Sequence, residues 1–287
     1  MFSIGLMSPV VALPLALIYS FPAAFLAFER GAGAAISSAL ASACIMSIVM
    51  PGIYSVMYFF MFGLSGVLIG LAAKSGVAGG NLLVASSSVE FAGKLFAVVI
   101  CFRVTGVNLM SPDAAEIETV LASFGGASLD PGIMRVFIDN MILLIPYSMI
   151  MFAAVEAMAC VMLVSYIHKK RTGEAFFHMP SFPEWSFPRS LLVALIAGFR
   201  CGEIASGRQD AYMLRQIGAN LSEISRTLFI LQGLSCVYFF MELRHIPRFL
   251  RITTVILAPF LPIIGALLAI IGIADMGFDF RHRVRGT

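Results

Sequence analysis

The stretch Leu82–Phe102, LLVASSSVEFAGKLFAVVICF, decides the fold of this chain. At about 1.5 Å of rise per helical residue it is long enough to cross a hydrocarbon core of about 30 Å. Its apolar residues run continuously and do not alternate, so it reads as a transmembrane helix and not as a strand of a membrane barrel. Within it lie Ser86, Ser87, Ser88, Glu90 and Lys94. Glu90 and Lys94 are four residues apart, which places them on one helix face where they can pair. A charged side chain at mid-membrane costs roughly 2.5–3.5 kcal/mol on insertion scales, so such groups face a bundle interior or an aqueous cavity.

Working outward from this segment, the same reading gives about eight spans. They are Pro9–Phe28, Gly33–Met50, Ile53–Ala73, Leu82–Phe102, Ile138–Ile167, Leu191–Ala205, Thr227–Met241 and Ile252–Ala274. Composition agrees: 60% of the residues are hydrophobic and 12% charged, with a mean hydropathy of +0.95, whereas soluble domains carry about 25% charge. The expectation is an all-α, polytopic bundle forming a single integral membrane domain over residues 1–287. The N-terminus lacks a basic leader region and a small-residue cleavage site, so it reads as a retained membrane segment. The five cysteines stand singly in or beside apolar runs, without metal-ligand or redox spacing, and read as reduced thiols.

Two segments leave the apolar pattern. Residues 104–135 form a polar excursion in which Ser111-Pro112-Asp113 reads as a helix start, with Ser111 as cap and Pro112 in the first turn. The amphipathic helix runs through Glu116, Ile117, Val120, Leu121 and Phe124 to a stop at Gly125-Gly126. Residues 168–190 form a basic, aromatic and proline-rich loop in which Phe182, Trp185 and Phe187 suit an interfacial anchor. His168, His178, His245 and His282 all read as loop or tail residues.

Charge orients the chain. Lys169–Arg171 and Arg244, Arg248 and Arg251 belong on the cytoplasmic side, and Asp113, Glu116 and Glu118 outside. Eight spans then leave both ends outside, against the basic tail Arg281, His282, Arg283 and Arg285. Either one span is miscounted, or the last segment, interrupted by Pro259 and Pro262, enters without crossing. The orientation is checked by single cysteines at Glu118 and Lys170 in a background without native cysteines. An impermeant reagent on intact cells is expected to label Glu118→Cys and spare Lys170→Cys, and labelling at Lys170 from outside would reverse the topology.

Small residues mark helix contacts. Ala35, Ala39 and Ala43, with Gly31 and Ser47, recur every fourth residue, and Gly66 and Gly70 form a GxxxG pair. Such residues let helices approach closely, within the chain or with a partner. Glu156 sits near the middle of the fifth span among Ala153, Ala154, Ala157 and Ala159. One lysine and two carboxylates therefore meet near the bilayer midplane on this reading, with Ser87 extending the polar lining. The functional interpretation of Glu90, Lys94, Glu156 and Ser87 is a binding site for a polar solute, and the plainer one is a structural ion pair. Gln232, with Glu223 and Arg226, is a weaker candidate that suits a hydrogen bond between helices. No HExxH, GxSxG or Walker-type pattern is present, so neither an enzyme, a metal centre nor a cofactor is expected, and the mild net charge of +3 does not suit nucleic acid.

The C-terminal third carries a likeness. Asn220-Leu221 through Leu231-Gln232-Gly233-Leu234, then Gly272-Ile273-Ala274-Asp275 and Phe278-Asp279-Phe280-Arg281, resemble the YybS-like family of bacterial membrane proteins, a family of unknown function. Phe21-Pro22 followed by Glu29-Arg30-Gly31, and the aromatic loop ending at Pro188, fit the same family. The resemblance implies a multi-pass protein of the bacterial inner membrane. It is more distantly similar to the substrate-binding components of energy-coupling-factor vitamin transporters, which implies a transport-related role by analogy of fold. The resulting expectation is small-solute binding or transport through a polar site inside the bundle. The alternative is a non-transporting scaffold or regulator that contacts other membrane proteins or a second copy of itself through its helices.

Overall fold

The computed structural model describes residues 16–77, 79–123, 130–206, 208 and 210–285. Their regular elements are all helices, and the chain divides into two compact units, Met1–Met179 and Pro180–Thr287.

In the first unit, α1 (Phe21–Arg30) is a short helix that begins at Ser20, with Pro22 in its first turn. Proline suits a helix start because the N–H it lacks would have no partner there. Gly31 takes φ +91°, a conformation that favours glycine, and α2 (Ala32–Val49) follows at once. A turn at Met50-Pro51 leads into α3 (Gly52–Lys74), whose Phe59–Leu64 segment is wound as a π-helix. The quoted stretch lies in α4 (Gly79–Thr105). The excursion holds α5 (Ala114–Ser123) and α6 (Pro131–Leu143), and α7 (Ile145–Thr172) closes the unit.

Glycine decides how closely these helices approach. A Cβ on Gly66 would overlap Ser20 O, and one on Gly70 would overlap Ala24 O and stand 2.7 Å from the Ala27 Cβ. The GxxxG seam is thus filled by Ala23, Ala24 and Ala27 of α1, all buried. Ala35 packs in the same cluster with Val67. Ala39 is buried against the π-helical Gly63, whereas Ala43 is only half-buried and Ser47 exposed, so the α2 seam ends halfway along the helix.

In the second unit, α8 (Ser190–Ala205) and α9 (Tyr212–Leu243) pack through Gly198 and Gly218, where added Cβ atoms would meet Ser222 N at 2.9 Å and Gly202 N at 2.8 Å. α10 (Arg248–Leu257) is amphipathic and buries no residue. It meets α11 (Pro262–Phe278) at a 106° bend, where Leu261 is extended between Pro259 and Pro262. Gly233 of α9 and Gly272 of α11 touch the backbone of the opposite helix, at Leu268 and Phe229. α12 (Phe280–Arg285) follows the left-handed Asp279, at φ 50°.

Several sequence expectations are corrected. Among the described residues five helices are long and apolar enough to cross a membrane, or six if the bent Arg248–Phe278 pair is one span, and not eight. The first expected span, Pro9–Phe28, is interrupted at residues 17–20, and its beginning lies outside the described residues. The fifth begins at Ile145, since Leu144 breaks the backbone ahead of Pro146 and places Ile138 on the separate α6. Leu191–Ala205 lies in the 16-residue helix Ser190–Ala205, too short for a span by this measure. The seventh expected span is part of a helix that starts 15 residues earlier, at Tyr212. In the excursion the cap is Asp113, whose Oδ1 accepts from Ala115 N, and not Ser111. The expected stop at Gly125-Gly126 lies outside the described residues. His168 and Lys169–Arg171 form the last turns of α7, which ends at the left-handed Gly173, and not a loop.

Candidate functional site

Ser86, Glu90, Lys94, Ala97 and Cys101 recur along α4 and are its buried face, while Val84, Phe96 and Val99 point outward. The ion pair expected from the four-residue spacing is present: Lys94 Nζ lies 3.3 Å from Glu90 Oε2. Lys94 also donates to Glu156 Oε2 of α7, so all three charged residues form one triad. Their exposures of 0%, 6% and 2% exclude contact with bulk solvent. Ala153 and Ala157 are fully buried beside Glu156 and permit the close helix approach that the triad needs. Ser87 departs from this arrangement, since its hydroxyl returns to Leu83 O, and Ser86 instead occupies the triad's face.

Two irregular backbone segments surround the triad. The hydroxyls of Ser20, at the start of α1, and Ser65, at the end of the π segment, stand beside the Glu90 carboxylate. Ser65 gives its proton to Met61 O, and Oε1 of Glu90 is left without a well-aligned donor, as is Ser86 Oγ. Lys94 Nζ lies 5.9 Å from the ring of Phe62, within reach of a cation–π interaction, and the Tyr19 ring meets Phe62 edge-on at 5.1 Å. A Cβ on Gly93 would stand 2.7 Å from Phe60 O, so α4 lies directly against the widened turn.

The position of α1 follows from its far end. Glu29 pairs with Arg171 at 3.2 Å, in the basic last turn of α7. A helix of 10 residues is about 15 Å long, half a hydrocarbon core of about 30 Å. With Glu29 held at the basic end of α7, the other end of α1 lies beside Glu90. Helix N-termini carry partial positive charge and favour a carboxylate. Half-helices ending at mid-membrane beside charged groups are how many transporters build solute and ion sites.

Two carboxylates face one ammonium, so the fully ionised triad carries one excess negative charge in a low-dielectric interior. Such a centre can hold a cation or a proton, or give up its lysine to a ligand.

Of a second polar centre, in the other unit, the sequence reading named only Gln232, as a hydrogen bond between helices, and that bond is present, to Asp275 of α11. Arg281 donates to Asp275 Oδ2 at 2.8 Å, to Pro183 O at 2.7 Å, to Trp185 O at 2.9 Å and to Ser235 Oγ at 2.9 Å. Gln232 donates to Asp275 Oδ2 at 2.6 Å and accepts from Phe187 N at 3.0 Å. The signal was available: Asp275 and Arg281 belong to the Gly-x-x-Asp-x-x-x-Asp-Phe-Arg pattern that carries the resemblance.

Helices of spanning length around a buried charged triad define a polytopic helical membrane protein. The chain belongs to the family described as "Predicted membrane protein (DUF2232)", which it matches over residues 1–276. It is 22% identical over 236 residues to "Uncharacterized protein YybS" of Bacillus subtilis (strain 168), an alignment covering 79% of this chain and 75% of that protein. No solved structure matches it.

Proposed function

We propose that this protein binds a small polar solute or cation at Glu90, Lys94 and Glu156 and carries it across a bacterial inner membrane. The observation that supports this most is the convergence of the triad with an interrupted helix and a π turn. Either irregularity is tolerated in lipid only where the freed backbone groups are buried in protein or face a cavity. Both bring small, movable packing contacts to the same carboxylate. The triad's exposures of 0–6% mean that access requires a second conformation, as alternation between two sides of a membrane does. The centre is read as one of binding and not of catalysis, because a lysine and two carboxylates without a nucleophile or metal set suit charge recognition.

The second reading is a scaffold or regulator, favoured by the closed interior. Against it, the Gly66 and Gly70 seam is consumed within the chain by α1 and is not offered to a partner.

Accessibility separates the two. In a variant without native cysteines, Ser86→Cys in bacterial membranes is expected to react slowly with a small water-soluble methanethiosulfonate. Val84→Cys, on the lipid face of the same helix and 68% exposed, serves as the unreactive control. Ser86→Cys as inert as Val84→Cys would leave the scaffold reading in place.

A further inference from the structure

The chain turns back on itself where α9 ends. His245 is left-handed, at φ 53°, and Ile246 N donates to Met241 O at 3.0 Å, the hydrogen bond of a Schellman-type helix end. Ile246 is thereby folded onto α9, where it lines a groove of about 410 Å³ with Val237, Phe240 and Met241 of α9 and Ile271 of α11. Arg244 is the one charged residue in that lining. It stands exposed at the end of α9, and Arg248 stands exposed at the start of α10. Neither has an ion pair or a side-chain hydrogen bond among the described residues, and Glu242, two residues from Arg244, is taken by Arg251 at 2.6 Å.

Arg251 also lies over the Tyr238 ring at 5.0 Å, so the polar side of α10 faces α9. Phe249, Ile252 and Ile256, three and four residues apart, share the other side and are exposed. With 10 residues, α10 is about 15 Å long and too short to cross a hydrocarbon core of about 30 Å. α11 packs along α9, with Leu268 at Gly233 and Phe229 at Gly272, and the 106° bend sets α10 across their direction. A basic amphipathic helix so placed lies in the membrane interface, its apolar side among acyl chains and its cations at the headgroups. We infer that the turn between α9 and α10 is a binding site for a phospholipid with a net negative headgroup. One acyl chain lies in the groove beside Val237 and Ile271, and the headgroup phosphate sits at Arg244 and Arg248. Two guanidiniums without carboxylate partners select the charge, and the apolar groove beside them selects a lipid over a free phosphate. The site lies wholly within the second unit and does not rest on the triad.

The full-length protein, purified in a nonionic detergent, is mixed with equal amounts of phosphatidylglycerol and phosphatidylcholine of identical acyl chains. Native mass spectrometry then reads which lipid the protein retains, and headgroup charge is the difference between the two. An arginine near a membrane surface contributes about fivefold to holding an anionic lipid, so phosphatidylglycerol is expected to be retained about 25-fold over phosphatidylcholine. Arg244→Gln and Arg248→Gln are each expected to lower that preference about fivefold, and the double variant to abolish it. Both side chains are exposed and without partners in the fold, so the fold tolerates their loss. Arg208→Gln, at another exposed arginine of the second unit, is expected to leave the preference unchanged. Glycerol 3-phosphate, which carries the phosphate without acyl chains, is expected not to displace the lipid at equal concentration. Equal retention of the two lipids would overturn the assignment. So would a preference that survives loss of both arginines, one that falls equally with Arg208→Gln, or displacement by glycerol 3-phosphate.

Discussion

Lys94→Ala is expected to destabilise the protein by about 3–5 kcal/mol, because it leaves two buried carboxylates without their cation, and Glu90→Ala by less, because Lys94 keeps Glu156. The double variant is expected to lose clearly less than the sum of the two. Burial sets the size of these effects: Glu90 is 0% and Lys94 6% exposed, so water cannot replace a missing partner. Glu156 complicates the cycle in a useful way. Once Glu90 is gone, Lys94 still has Glu156, and the excess negative charge of the triad is relieved. Lys94→Ala leaves two carboxylates facing each other across α4 and α7 and is expected to be the more damaging single change. Glu156→Gln keeps the Glu90–Lys94 pair and a hydrogen-bonding side chain, and is expected to be the mildest. Reversible unfolding in mixed micelles, run as a double-mutant cycle, measures the coupling. Strict additivity of Glu90→Ala and Lys94→Ala would show that they act apart, and the binding proposal would lose its centre.

Gly70→Leu and Gly233→Leu are expected to cost at least about 3 kcal/mol each, the upper range of overpacking, or to prevent accumulation of folded protein. At both sites even a Cβ would overlap a carbonyl oxygen of the facing helix, Ala24 O for Gly70 and Leu268 O for Gly233. The obstacle is backbone on both sides, so no rotamer change relieves it, and the helices must separate. Separation of α1 from α3 also withdraws Ser20 from Glu90 and uncovers the site, so Gly70→Leu is expected to speed the labelling of Ser86→Cys. Ala39→Leu, against the Gly63 turn, is expected to fall between these variants and the lipid-face controls. Those controls, Ile48→Ala and Val84→Ala, are 83% and 68% exposed and are expected within about 0.5 kcal/mol of the parent. Thermal stability in detergent is the measurement, and parental stability for both glycine variants would remove the packing seam.

What the sequence determined by itself is what depends on local physics. An apolar run in lipid must satisfy its backbone within the segment, so Ala32–Val49, Gly52–Lys74 and Gly79–Thr105 were legible as helices to within a few residues. The pairing of Glu90 with Lys94 was legible too, since helix geometry alone sets a four-residue spacing on one face. The presence of Glu156 in the same site was readable only as depth and small neighbours. Its contact with Lys94 depends on which face of α7 meets α4. Breaks were harder to read, because lipid-embedded helices tolerate proline. Pro22, Pro146, Pro259 and Pro262 look alike in sequence, yet they mark a half-helix, a helix junction and a 106° bend. The polar first turns of α9, with Arg215, Asn220 and Glu223, read as loop because hydropathy sees side chains and not the backbone hydrogen bonds that α8 and its glycines stabilise. The Asp275–Arg281–Gln232 centre lay furthest from view. It forms only because Asp279 turns left-handed, folding Arg281 back onto Ser235 and the loop at Pro183–Trp185. Those partners lie 46 and 98 residues away in the chain, a distance across which periodicity and spacing carry no information and only the tertiary packing of α9, α11 and the loop brings the groups together.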